Sequence, residues 1–276
     1  MSADRTSTDT EELKRLWREG VATLISYRYF ATYSEVVDRE HATGHVKIRP
    51  DMRAGHGLRA APLGIALLDT AGISVDPIAV VSPTRIDVEL FEPAIGVEAL
   101  RVDGAIVREG RSQMFTEGRF VDAADPTRVV GTGVTHWSVS GPNPGFNYVD
   151  NRANAPKPED IKPMHEAFGA RLRDDGEFEI ADLVPELGRR GLHQGPFQVV
   201  PESAAIAALE RHIGDRSYWI EHQGTSIVSR GTGAPLVTKT DVLRVADDTA
   251  TVRVELRAAG DGDRLCSLST YRFRLA

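Results

Sequence analysis

The sequence predicts an α+β protein made of two halves with the same plan. Two apolar segments, 62–71 and 196–213, have helix character, and each is followed by a run of alternating strands. Between the halves, Pro142, Pro144, Pro156, Pro158 and Pro163 crowd into one connection, read as a linker. The offset between matching features is nearly constant. Asp69 stands 133 residues before Glu202 and Thr135 stands 135 before Thr270, which suggests a duplicated unit of about 130 residues.

Residues 8–30 open the chain as a helix. Thr8 and Glu11 make a capping box, and Leu13, Leu16, Trp17, Val21, Leu24 and Ile25 form one apolar stripe. A strand is expected over 35–48, then a turn-rich stretch through Gly55 and Gly57. Pro62 opens the first buried helix, where its missing N–H costs nothing. That helix is apolar almost all round, so Asp69 is a carboxylate in a segment that otherwise excludes charge.

Strict alternation at Arg85–Leu90 marks a half-buried strand. Further strands are expected at 97–102, 105–108, 112–121 and 129–139, with turns at Asp103-Gly104 and Asp125-Pro126. In the second half, strands are expected at 177–183, 218–229, 236–245, 249–257 and 265–275, with Asp261-Gly262 as a hairpin turn. The units read as a helical extension 1–34, a first unit 35–140, a linker 141–165 and a second unit 166–276.

Acidic residues outnumber basic ones by 40 to 33 among 276 residues, so the chain lacks the basic footprint of a nucleic-acid binder. No apolar run is long enough to span a membrane, and the opening residues carry no signal-peptide pattern. The single cysteine, Cys266, excludes an internal disulfide and multi-thiolate chemistry and suits a reducing cytoplasm.

The string His193-Gln194-Gly195-Pro196 leads into the second apolar helix, and Glu202 follows His193 by nine residues. Free N–H groups at a helix start can hold an oxyanion. A carboxylate further along an apolar helix is a candidate general base. Pro201 just before Glu202 allows another reading, in which the helix is interrupted and Glu202 opens a new segment.

These residues resemble the hotdog-fold acyl-CoA thioesterases, in their phenylacetyl-CoA branch, which carry a His-Gly-Gly stretch nine residues before an acid-hydroxyl-small triplet. His193, Gly195, Glu202, Ser203 and Ala204 match that frame, with Gln194 in place of the first Gly. In the first half Asp69, Thr70 and Ala71 match the triplet, while Ala60, Ala61 and Pro62 replace His-Gly-Gly. The runs 82–94 and 110–119 are similar to the family's strands after the helix.

The resemblance implies a double hotdog, with two long buried helices each wrapped by a curved antiparallel sheet. It also implies a site at the interface, where one unit's acid meets the other unit's helix start. The implied activity is hydrolysis of an acyl-CoA or acyl-carrier thioester, a small-molecule substrate, with CoA as part of it. No cofactor or metal is implied, and assembly into a homodimer or larger oligomer is.

The implied catalytic residues are Glu202, Asp69, His193, Gly195 and Ser203, acting by water activation or by direct carboxylate attack. Gln194, Thr70 and Arg59 are the implied substrate contacts, and Arg59, Arg189 and Arg190 are candidates for CoA phosphates. Two alternatives stay open: a dehydratase, hydratase or isomerase of β-hydroxyacyl or enoyl thioesters, and a non-catalytic acyl-CoA-binding scaffold. His56 and Asp69, thirteen residues apart, are the dehydratase's candidate pair.

Overall fold

A computed structural model describes residues 23–75, 78–143, 155–188 and 191–276. In chain order the first half contains α1 (Ile25–Phe30), β1 (Tyr33–Val36), β2 (His41–Lys47), β3 (Arg53–Ala54), β4 (Gly57–Leu58), α2 (Ala60–Val75), β5 (Ala79–Leu90), β6 (Ala99–Glu109), β7 (Gln113–Asp122) and β8 (Val129–Pro142). The second half contains α3 (Met164–Ala167), β9 (Ala170–Leu172), β10 (Phe178–Ile180), α4 (Pro196–Ile213), β11 (Tyr218–Ile227), β12 (Leu236–Val245), β13 (Thr249–Ala258) and β14 (Arg264–Leu275).

Twelve strands form one antiparallel sheet in the order β1-β2-β6-β7-β8-β5-β11-β14-β13-β12-β10-β9. The order is the same read outward in either direction from the β5–β11 seam. That seam runs in register from His222 opposite Glu89 to Ser226 opposite Arg85. Both outer edges end in short strands, β1 and β9, which limits edge-to-edge pairing with other chains.

Every residue of α2 is buried, as its all-round apolar sequence requires. It sits low on the sheet because glycines make room. Gly104, Gly118 and Gly133 stand side by side on the inner face of β6, β7 and β8. A Cβ at Gly118 or Gly133 would lie 2.5 or 2.7 Å from the methyls of Leu67. Leu67 is fully buried there, a gain of about 1.5–3 kcal/mol. Thr70 covers Gly44 and Gly104 in the same way.

Several sequence expectations change. The Asp103-Gly104 pair is no turn but lies inside β6, so the strands expected at 97–102 and 105–108 are one. The strand expected over 35–48 is two, β1 and β2. Pro201 neither ends nor divides α4, which is continuous from Pro196 to Ile213. Having no N–H, Pro201 leaves the Phe197 carbonyl without its usual helical donor. Of the opening helix, only Ile25–Phe30 falls among the described residues, and the middle of the linker, 144–154, lies outside them.

The offset also changes. Thr135 is buried on the inner face of β8, whereas Thr270 is outward and half-buried, and Ser269 takes the inner position. Gly64 of α2 packs on Gln198 of α4, 134 residues later, and Pro62 and Pro196 stand at the same spacing, although α2 begins at Ala60, two residues before the proline expected to open it. At 134, Asp69 stands opposite Ser203 rather than Glu202, and Arg59 stands opposite His193.

Candidate active site

Glu202 is fully buried on α4 and reaches across to the other half. Its Oε1 accepts the backbone N–H of Ala61 at 2.8 Å, at the start of α2. Its Oε2 accepts Arg59 Nε at 2.7 Å, and a second Arg59 nitrogen donates to Ser203 Oγ at 2.7 Å. The Ser203 hydroxyl in turn donates to the Val199 carbonyl at 2.8 Å. A carboxylate at a helix start satisfies an unpaired donor and suits the dipole. Its charge is balanced by a guanidinium that is itself nearly buried.

The local sequence explains how Arg59 is aimed. The hairpin β3–β4 bends the chain back, Arg59 N–H donates to the Met52 carbonyl at 3.0 Å, and Leu58 N–H donates to Pro93 at 3.2 Å. Arg59 is thereby fixed one residue ahead of α2. Among the residues expected to meet CoA, it is bound instead to Glu202 and Ser203, and Arg189 and Arg190 lie outside the described residues.

The other helix start is closed differently. Gly195 N–H donates to Ser26 Oγ at 3.1 Å, and Phe168 packs over the same glycine. Gln194 is buried. His193 packs on Tyr27 with ring centres 5.0 Å apart and planes tilted by 48°, and its inaccessible Nδ1 makes no hydrogen bond among the described residues. Burial pulls the imidazole down to about 4, so it is neutral at physiological pH.

Asp69 is buried in α2, eight residues past Ala61, about 12 Å along the helix by its rise alone. It is therefore far along the helix from the N–H that Glu202 occupies. Thr70 lies 3.3 Å from the Ser34 hydroxyl and packs on the sheet. His56 is 2.7 Å from Ser217 Oγ, and its N–H donates to the Tyr218 carbonyl.

Below the two helices, the inner face of the sheet carries a row of side chains, polar except for Ile86, whose chemistry sequence reasoning left unused. Thr116, Thr135, Ile86, Thr225 and Ser269 are successive register partners on β7, β8, β5, β11 and β14. Gln223 and Tyr271 are paired beside them. All seven are buried. The period-two burial of these strands was the available signal, since it marks those positions as inward.

The arrangement resembles solved structures over almost its whole length. A protein of unknown function from Alicyclobacillus acidocaldarius, described as having a hot dog fold, is 11% identical over 91% of this chain and 98% of that one, with a TM-score of 0.59. That likeness decides the fold. The chain has the hot dog fold. An acyl-CoA thioesterase II from Mycobacterium marinum matches at 13% identity over 94% and 97% of the two chains, TM-score 0.56. A 12:0-ACP thioesterase from Umbellularia californica matches at 12% over 89% and 95%, TM-score 0.53. No family model and no curated protein matches. Among the described residues of this hot dog chain, no helix is long and apolar enough to cross a membrane.

Proposed function

We propose that the chain is an acyl thioester hydrolase, built as a double hotdog from a duplicated unit, with its site where α4 meets the start of α2. One observation carries the reading: Glu202 of one half holds the Ala61 N–H, in the first turn of the other half's helix. Acid and oxyanion donor, the two parts thioester hydrolysis needs, stand 2.8 Å apart.

The reaction follows from that contact. The thioester carbonyl oxygen displaces Oε1 from Ala61 N–H and takes its place as acceptor. Glu202, paired with Arg59, is then free to accept a proton from water as the water oxygen bonds to the acyl carbon. The tetrahedral intermediate collapses, the C–S bond breaks, and the thiolate leaves to take up the proton. Ser203 orients Arg59. Asp69, His193 and Gly195 stand apart from this contact, and we assign them to packing. The acyl-CoA and acyl-carrier thioesters remain the substrate classes, with no resident cofactor.

One observation favours a second reading. Both carboxylate oxygens of Glu202 are engaged and fully buried, as in a purely structural ion pair, and the chain would then bind acyl thioesters without cleaving them. Thiol release from a panel of acyl-CoAs separates the two. The hydrolase reading expects turnover that falls about 10²–10⁴-fold in Glu202→Gln and little in Asp69→Asn. Absence of turnover on every acyl-CoA and acyl-carrier thioester would sink it.

A further inference from the structure

Several buried polar groups on α4 and the sheet beneath it have no hydrogen-bond partner among the described residues. Gln198 lies one turn before Glu202 on the same face of α4, is fully buried, and neither its Oε1 nor its Nε2 makes a hydrogen bond. Its Oε1 sits against Gly64, where an added Cβ would come within 1.9 Å, and Ile86 is beside it. Ile86 is flanked in register by Thr135 and Thr225. The Thr135 hydroxyl and the Gln223 Oε1 are likewise buried without a hydrogen bond among the described residues, and the Tyr271 hydroxyl is buried beside the hydroxyls of Thr225 and Ser269. Burial and the nearby Glu202 hold Tyr271 well above the usual phenol range, so it stays a donor.

A buried polar group left unsatisfied keeps the full cost of its lost hydration. A cluster of them on facing elements is therefore an expensive wall for a plain hydrocarbon chain. It also extends across three strand spacings, from β8 to β14, about 14 Å, which matches an extended occupant better than a single small one.

We propose that Gln198, Tyr271, Gln223 and Thr135 form a subsite for an oxygenated acyl chain, one bearing a hydroxyl or oxo group a short way beyond the thioester. The proposal rests on the hydrolase reading for its location but not for its binding chemistry. The amide of Gln198 offers a donor and an acceptor, Tyr271 a donor, and Gln223 an acceptor, so either a hydroxyl or a ketone is satisfied. A saturated chain of the same length leaves the amide of Gln198, the Gln223 Oε1 and the Thr135 hydroxyl unpaired.

The test uses the full chain and non-hydrolysable thioether analogues of octanoyl-CoA, plain or carrying one hydroxyl or oxo group at each carbon from 3 to 7. Calorimetric titration is expected to show at least one oxygenated analogue binding about tenfold or more tighter than the plain one. Gln198→Leu and, separately, Tyr271→Phe are expected to shrink that ratio toward one, with circular dichroism confirming the fold. Equal binding, or tighter binding of the plain analogue to wild type, overturns the proposal whatever the variants do. A ratio unchanged in both folded variants overturns the residue assignment. Thiol release from the corresponding thioesters is run in parallel. Selective binding without release rejects the hydrolase reading and leaves the subsite standing, and release without selectivity does the reverse.

Discussion

Arg59 binds two partners at once, Glu202 and Ser203, in a setting where neither charge reaches water freely. Arg59→Met strands the Glu202 carboxylate and is expected to cost about 3–5 kcal/mol in urea unfolding. Arg59→Met with Glu202→Leu should cost less than Arg59→Met alone, because no unpaired charge remains; a double-mutant cycle reads this directly. His193 supplies a pH signature. Its folded value near 4 lies below the ordinary histidine value near 6.5, so the unfolded chain binds the extra proton between them. Stability should fall as pH drops from about 6.5 to about 4, and His193→Phe should flatten that slope in urea midpoints. Asp87 acts at lower pH. Burial opposes its ionisation, but bonds from His222 and Arg85 prevail and hold it at about 2. Its stabilising effect is complete above the unfolded carboxylate value and is lost as pH falls toward 2. At this scale the sequence was half legible. An acid in an apolar helix drew attention to Glu202, but its partner Arg59 lies 143 residues away, and nothing local to either residue encodes such a pairing. Gly195 matched a motif, yet its N–H is taken by Ser26, 169 residues away.

The elements were more legible, because burial imposes periodicity. The bounds of α4 and β12 follow directly from the pattern, since an apolar run on one and alternation on the other begin and end sharply. The short elements α3 and β9 carry too few residues for any period to register. Asp103-Gly104 misled for a physical reason. That glycine serves the helix above it: a Cβ would lie 3.2 Å from Thr70 and 3.4 Å from the Ala71 backbone. A glycine kept for close packing has the same letter as one kept for a turn. Gly118→Ala is accordingly expected to destabilise by about 1–3 kcal/mol through collision with Leu67. Adding Leu67→Ala should recover part of the collision cost relative to the two single changes summed. Thermal unfolding of the four proteins measures both.

The sheet runs without interruption from β1 to β9 through the β5–β11 seam, and the ion pair of Arg59 and Glu202 crosses the same seam above it. The two halves are thus expected to unfold together, in one calorimetric transition. Residues 155–276 produced alone would expose β11 as an open edge and leave Glu202 without its counter-charge, so that fragment is expected to aggregate. The mirrored strand order has a consequence for how such a molecule can change. In a pair of identical separate chains, any substitution strikes both helix starts together, and a change that suits one position is tried at the other as well. Here the two starts are encoded separately, with Arg59 ahead of one and His193 ahead of the other. Each can vary on its own, so one helix start can be plugged by Ser26 and Phe168 while its twin retains a charged partner. Exhaustive mutation of positions 59 and 193 should return different tolerance profiles, the imprint of a molecule free to specialise one half at a time.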